Sequence, residues 1–206
     1  MFITFEGIDG CGKTTQAKLF FEYLKKISIK EKDIIFTREP GGFDGEPNFR
    51  QILISGCLKN VASEVFVFMA DRAEHATRII LPAINQGQTI VMDRYHDSTV
   101  AYQCYGRQLD KSAVDKMFNF ANLPTPDLTF YFEISVEDSY SRVLNRGHLD
   151  SIEKSGREFM QRVKNGFDSL AQNNKGRIIT IKSSGKTIKK IHEEVVTCYE
   201  NFLKTR

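Results

Sequence analysis

Gly7-Ile8-Asp9-Gly10-Cys11-Gly12-Lys13-Thr14 fits the pattern G-x-x-x-x-G-K-[ST]. Glycines at this spacing let successive backbone N–H groups curl around an anion, and a helix that follows adds its positive end. The chemistry this allows is capture of a nucleoside triphosphate. Lys13 would span the β and γ phosphates, and Thr14 would ligate Mg²⁺. The glycine order is G-x-x-G-x-G, which differs from the dinucleotide fingerprint G-x-G-x-x-G. GTPases, ATPases and small-molecule kinases all share such a cradle, so it identifies the donor side alone. A guanine-specific protein would carry N-K-x-D late in the chain. Here the nearest text, Asn173-Asn174-Lys175-Gly176-Arg177, lacks the carboxylate and argues against a GTPase.

The acceptor side is written in arginines. Asp93-Arg94-Tyr95 closes the apolar run Thr89-Ile90-Val91-Met92, and ligands of open parallel sheets bind at strand carboxyl ends. Asp93 can help hold Mg²⁺ through water, and Arg94 can face the transferring phosphoryl. Arg38 and Glu39 end another strand in the same topological position, and Arg50 follows an irregular loop. Three guanidinium groups near one spot suit an acceptor that is itself a phosphate monoester. Bringing two unit charges to about 4 Å costs on the order of 4 kcal/mol at an effective dielectric near 20. Bidentate arginines offset that repulsion. Such an acceptor needs no general base, because a phosphate with a second pKa near 6 is already an ionised nucleophile at neutral pH.

The elements that must position these groups alternate. Phe2–Phe5, Ile34–Thr37, Thr89–Asp93, Leu128–Ile134 and Ile178–Lys182 read as five strands with helical stretches between them, which predicts a parallel α/β sheet. Ala17, Phe20, Phe21, Leu24 and Ile27 recur at helical spacing, as do Ile188, Ile191, Val195, Tyr199 and Phe202, and both stripes read as core faces. A long helix is expected over Ser63–Ile84, with a kink or early end at Pro82. Glu39-Pro40-Gly41-Gly42-Phe43-Asp44-Gly45-Glu46-Pro47 must be a shaped loop. The polar stretch from Asn145 to Gly156 suits a mobile flap, with an ordinary surface loop as the alternative.

Composition sets the outer bounds. A chain of 206 residues, 41% hydrophobic and 27% charged, suits one folded domain over residues 1–206. A net charge of +3 is too weak to imply nucleic acid as the main partner. Cys11, Cys57, Cys104 and Cys198 form no C-x-x-C pair, which argues against a zinc knuckle or disulfide framework and for a reducing setting. Cys11 reads as a small filler of the cradle. His75, His96, His148 and His192 lack paired ligand spacing and read as surface or packing residues. The amino terminus reaches Glu6 without a basic leader or an apolar span, so neither signal peptide nor membrane segment is expected, and the chain is placed in the cytoplasm.

Taken together, Phe5-Glu6-Gly7-Ile8-Asp9-Gly10, Thr37-Arg38-Glu39-Pro40-Gly41-Gly42, Asp93-Arg94-Tyr95 and Ala101-Tyr102-Gln103 resemble the thymidylate kinase family. The similarity runs over most of the chain, through Pro126-Asp127-Leu128-Thr129 and Phe159–Phe167. It implies a three-layer P-loop fold with a five-stranded parallel sheet flanked by helices and a short lid over about 145–156. It implies Mg²⁺-dependent transfer of the γ-phosphoryl of ATP to dTMP by a homodimer, with no nucleic-acid or membrane partner. ATP would be held by Gly7, Ile8, Asp9, Gly10, Cys11, Gly12, Lys13, Thr14, Thr15 and Arg142, the last packing on adenine. On the acceptor side the resemblance implies that Phe68 stacks on thymine, Arg72 hydrogen-bonds the base, and Thr99 and Gln103 lie beside it. Asp9 would bind the 3′-hydroxyl and Tyr102 would crowd the 2′ position. Arg38, Glu39, Pro40, Arg50 and Arg94 would surround the acceptor phosphate, with Pro40 preceded by a cis bond. Lys13, Arg94 and Arg146 would stabilise transferring charge, and Thr14 and Asp93 would hold the metal.

The chain departs from the family text in places. Phe43 stands where a small hydroxyl residue is common, and Glu46-Pro47 shifts the acidic position by one. Leu149-Asp150-Ser151 replaces Leu-Asp-Arg in the lid, and Gly10 occupies a position that is arginine in other members, which leaves Arg146 as the lid candidate. A P-loop kinase for another nucleotide or nucleoside, and a nucleotide-binding regulator without transfer, remain the alternative readings.

Overall fold

In a computed structural model, residues 1–27, 33–43, 47–145 and 155–205 are described. Five short strands carry the apolar runs: β1 Phe2–Glu6, β2 Ile34–Arg38, β3 Thr89–Asp93, β4 Leu128–Glu133 and β5 Ile178–Lys182. All pairings are parallel, in the order β2-β3-β1-β4-β5. The chain starts in the middle strand, builds outward to one edge, then crosses to the other side. The order therefore reverses at β1, and crevices open at its carboxyl end. The register places Phe5 beside Asp93 and Arg38 beside Asp93, so three strands deliver their terminal residues to one rim.

Alternation on β1 divides its side chains between two layers. Ile3 and Phe5 point to the side of α1 (Lys13–Ile27) and the carboxyl-terminal helix Ile188–Lys204. There Phe5, Phe20, Phe130 and Tyr199 pack with ring centroids 5.0 to 5.9 Å apart. Thr4 and Glu6 point to the opposite side, where Thr4 bonds Thr129 at 2.7 Å and Glu6 meets the helix that follows β3. Most of each expected helical stripe is a core face: Ala17, Phe20, Leu24, Ile191, Val195 and Tyr199 are buried and Phe21 and Phe202 partly so, whereas Ile27 and Ile188, at the helix ends, are exposed.

The remaining helices, in chain order, are α2 Phe49–Ser55, α3 Val61–His75, α4 Leu81–Asn85, α5 His96–Thr99, α6 Lys111–Phe120, α7 Val136–Leu144, α8 Arg157–Asn173 and α9 Ile188–Lys204. The helix expected over Ser63–Ile84 begins at Val61 and changes gauge at Ala76 rather than at Pro82. A π-helical turn over Ala76–Ile80 closes with Leu81 N–H bonding the carbonyl of Ala76. Pro82 then stands in the first turn of α4, where its missing donor is not needed. A second π-helical turn, Val100–Gly106, extends α5 and packs on α8. The flap lies largely outside the described residues, which resume at Ser155 and Gly156 ahead of α8. Among the described residues, no helix is long and apolar enough to cross a membrane.

Candidate active site

The candidate phosphate cradle lies on the step from β1 to α1. Gly12 has φ +93°, and a Cβ there would meet nothing within 4 Å, so glycine is required by the backbone turn and leaves open space beside it. Gly10, with φ +76°, is crowded instead: a Cβ would come within 2.8 Å of the Ser139 carbonyl on α7. The arginine of other members would need α7 to move. In its place Ser139 Oγ donates to the Asp9 carbonyl at 2.6 Å, and Arg142 donates to the carbonyls of Gly10 at 3.2 Å and Ser183 at 3.4 Å. Gly7, Ile8 and Cys11 form the underside of the cradle; Ile8 and Cys11 are buried, and burial raises the Cys11 thiol pKa. Cys11 thus packs as a buried thiol beneath the cradle.

From the cradle one cavity of about 700 Å³ runs under β2 and α3 to the helix after β3. It is lined by Asp9, Gly10, Gly12, Lys13, Thr14, Thr15 and Arg142 at the cradle end. Arg38, Glu39, Pro40, Arg50, Phe68, Arg72, Asp93, Arg94, Thr99, Tyr102 and Gln103 line the rest. Of the site residues read from the sequence, only Gly7, Ile8 and Cys11 sit beneath that surface, and Arg146 lies outside the described residues.

Asp9, Lys13, Arg94 and Tyr102 meet at the centre. Arg94 donates to Asp9 Oδ1 at 2.6 Å, Tyr102 O–H donates to Asp9 Oδ2 at 2.7 Å, and Lys13 Nζ lies 3.5 Å from Asp9. Burial opposes the Asp9 charge, but the Arg94 and Lys13 cations outweigh it and hold the carboxyl well below the usual carboxylate range. Burial likewise opposes the Arg94 charge and is outweighed by Asp9, so that guanidinium stays protonated at any working pH. Lys13 also reaches the Ile8 carbonyl at 3.4 Å. Arriving phosphates would compete for the same two cations.

Thr14 Oγ1 donates to Asp93 Oδ2 at 2.5 Å, while Asp93 Oδ1 is buried without a hydrogen-bond partner among the described residues. An orphaned carboxylate oxygen beside a hydroxyl, opening on the cradle, fits a hard cation that takes its other ligands from phosphate and water.

The far end of the cavity, the candidate acceptor end, is shaped by a network of residues distant in sequence. The Glu39–Pro40 bond is cis, and Gly41 N–H donates to both Asp71 oxygens at 3.0 and 3.1 Å. Arg72 is 1% exposed, donates to Glu39 at 2.7 Å and Thr99 at 3.0 Å, and stacks over Tyr95 at 5.1 Å. His75 is buried and bridges Glu39 at 3.1 Å and Thr37 at 2.8 Å, a hydrogen-bonding role. Burial, reinforced by Glu39, raises the Asp71 carboxyl to about 6. Phe43 lies against His75 and under Arg78, whose guanidinium is 4.8 Å above its ring. Phe68 is half-buried on the cavity wall and is therefore not a core residue. Arg38 is exposed, Arg50 donates to the Pro40 carbonyl at 3.0 Å, and both reach the cavity with Arg94.

Glu6, which the resemblance quoted without a role, supports this assembly. It accepts from Tyr95 N–H at 2.7 Å, Ser98 N–H at 3.3 Å and Ser98 Oγ at 2.5 Å. Arg94 in turn donates to Ser98 Oγ at 2.9 Å. Arg94 adopts φ +67°, which a non-glycine residue holds only when its surroundings enforce it. The signal in the sequence was a carboxylate at the end of an otherwise apolar strand.

A cavity that can bring two phosphate-bearing molecules end to end over one set of main-chain amides belongs to a P-loop nucleotide kinase. Comparison with known proteins narrows that class. A family model described as thymidylate kinase matches residues 5–195. A thymidylate kinase of Fervidobacterium nodosum is 37% identical over 206 residues, covering 98% of this chain and 100% of its own. One from Prosthecochloris aestuarii is 39% identical, covering 89% and 86%. The crystal structure of thymidylate kinase from Ehrlichia chaffeensis superposes with a TM-score of 0.81 at 35% identity, covering 97% of this chain and 98% of that one. The chain belongs to the thymidylate kinase family.

Proposed function

We propose that this chain transfers the γ-phosphoryl of ATP to dTMP, giving dTDP and ADP, with the residues of the cavity in the following roles. The cradle amides and Lys13 hold the donor β and γ phosphates, and Arg142, pinned between the Gly10 and Ser183 carbonyls, offers its face to adenine. In the acceptor recess Phe68 packs on thymine and Arg72, immobilised by Glu39 and Thr99, donates to a base carbonyl. Asp9 and Tyr102 close on the sugar. Arg38, Arg50 and Arg94 surround the acceptor phosphate, which attacks the γ-phosphorus in line; the bond from γ-phosphorus to the β,γ-bridging oxygen breaks and ADP leaves. Thr14 and Asp93 would hold Mg²⁺, which when bound neutralises charge on the donor phosphates. Arg146, which lies outside the described residues, is assigned to the ATP phosphates because Ser151 and Gly10 stand where other members carry arginine.

The observation that carries this reading is the continuity of the cavity, with Lys13 and Arg94 at its waist. Catalysis is positioning and charge: Asp9, the carboxylate at that waist, is committed to Arg94, Lys13 and Tyr102, and an ionised phosphate needs no base. Incubation of pure protein with Mg-ATP and a panel of nucleoside monophosphates and nucleosides tests it. Preferential dTDP formation is expected, and Lys13→Ala is expected to lose at least about a thousandfold in kcat with its Tm little changed. Another preferred product would favour a kinase for a different acceptor, and binding without product would favour a regulator. The same proposal includes a homodimer in the cytoplasm. Phe66, 57% exposed on α3, and Phe120, 93% exposed at the end of α6, supply apolar surface that sedimentation can test for burial.

A further inference from the structure

Glu64, Phe68 and Arg72 follow one another at four-residue intervals on α3, and Gln103 faces them from the helix after β3. Gln103 lines the acceptor recess and is 2% exposed. Its amide nitrogen donates to Glu64 Oε1 at 3.2 Å, and the other Glu64 oxygen lies 3.4 Å from Arg107. Arg107 is held in turn against the Phe159 ring at 5.2 Å. A carboxylate paired with arginine only accepts hydrogen bonds, so it draws the amide NH₂ toward itself. No donor meets the Gln103 carbonyl oxygen among the described residues.

An unrestrained glutamine amide offers either a donor or an acceptor, half a turn apart. The two pyrimidine edges ask for opposite choices. Thymine and uracil present an N3–H donor beside the O4 acceptor; cytosine presents an N3 acceptor beside an amino donor. We propose that Glu64 is a specificity-positioning residue: by holding the Gln103 amide with its carbonyl toward the recess, it admits bases with N3–H and rejects cytosine. The assignment rests on the dTMP kinase reading above. Arg72, a donor that Glu39 and Thr99 hold in place, repels the cytosine amino group on the adjacent position, so the two residues read neighbouring atoms with opposite polarity.

The test is kcat and KM for dTMP, dUMP and dCMP in the wild type, Glu64→Ala and Glu64→Gln. Either substitution frees the amide to turn. The KM for dTMP is expected to rise about tenfold with kcat changed less than threefold, and the dTMP:dCMP ratio of kcat/KM to fall at least tenfold. The dTMP:dUMP ratio is expected to stay within about twofold, because both bases carry N3–H. Should Glu64→Ala fail to fold, Glu64→Gln, nearly identical in shape, carries the measurement. An unmoved dTMP:dCMP ratio, or equal losses on all three substrates, overturns the role of Glu64 while leaving the enzyme reading intact. A wild type that does not prefer dTMP overturns both.

Discussion

At the scale of single residues the site is governed by buried carboxylates whose partners differ. Asp9 is surrounded by cations and stays ionised, whereas Glu6 has only Ser98, Tyr95 and a more distant Arg94 against the burial and the Asp97 charge that oppose it. Its pKa rises from 4.5 to about 7. The folded state therefore keeps a proton that the unfolded chain releases above about 4.5. That contribution to stability is complete below the unfolded value and is lost as pH rises through about 7. Glu6→Gln, which keeps the shape and removes the titration, is expected to flatten the decline in unfolding free energy between pH 5 and pH 8. The part removed is on the order of 3 kcal/mol, at about 1.4 kcal/mol per pKa unit. Denaturant titrations at several pH values check this, and an equally steep decline in the variant would contradict it. The Asp71 part, with the same sign and a pKa of about 6, should remain.

At the scale of elements, the segment that follows β3, with Arg94 at its start and Tyr102 in the π-helical turn beyond α5, must be fastened to the sheet. Asp97, in α5, is 4% exposed and accepts two hydrogen bonds from Arg177, at 2.7 and 2.9 Å. Arg177 immediately precedes β5 and also donates to Thr129 on β4 at 2.8 Å. One guanidinium thus ties α5 to two strands beyond β1. Arg177→Ala would leave a buried carboxylate unpaired, an imbalance that costs about 3 to 5 kcal/mol. The expected loss in Tm for a chain of this size is roughly 6 to 20 °C. Removing both charges with Asp97→Asn and Arg177→Met should cost much less. A thermal melt of the single variant within about 2 °C of wild type would sink this account.

Across the whole molecule, the residues proposed for donor and acceptor line one cavity, and a ligand that fills it stabilises the folded state by mass action. Saturation with dTMP at 100 times its Kd is expected to add about 2.7 kcal/mol, or roughly 5 to 11 °C in Tm. A thermal-shift titration reads this directly. The same concentration of dCMP should give little or no shift, and equal shifts would speak against a recess built for thymine.

Five strands, their parallel sense and the cradle between the first strand and helix were legible in the order of the residues, because each depends on neighbours a few positions apart. Thr89–Asp93 and Ile178–Lys182 lie where alternation and apolar content put them. The helices at Phe49–Ser55 and His96–Thr99 carry little periodic signal; one is seven residues, the other four, and tertiary contacts stabilise such short helices. Gauge changes at Ala76 and Val100 were equally hidden, since a π turn follows from packing against other elements. For the site, the sequence by itself determined which residue types can meet phosphate. Only the tertiary structure decided that Glu6 holds Ser98, that Asp71 caps Gly41, and that Glu64 accepts a hydrogen bond from Gln103. Each of these pairs joins positions 30 or more apart, and a hydrogen bond is set by angstroms in space rather than by distance along the chain.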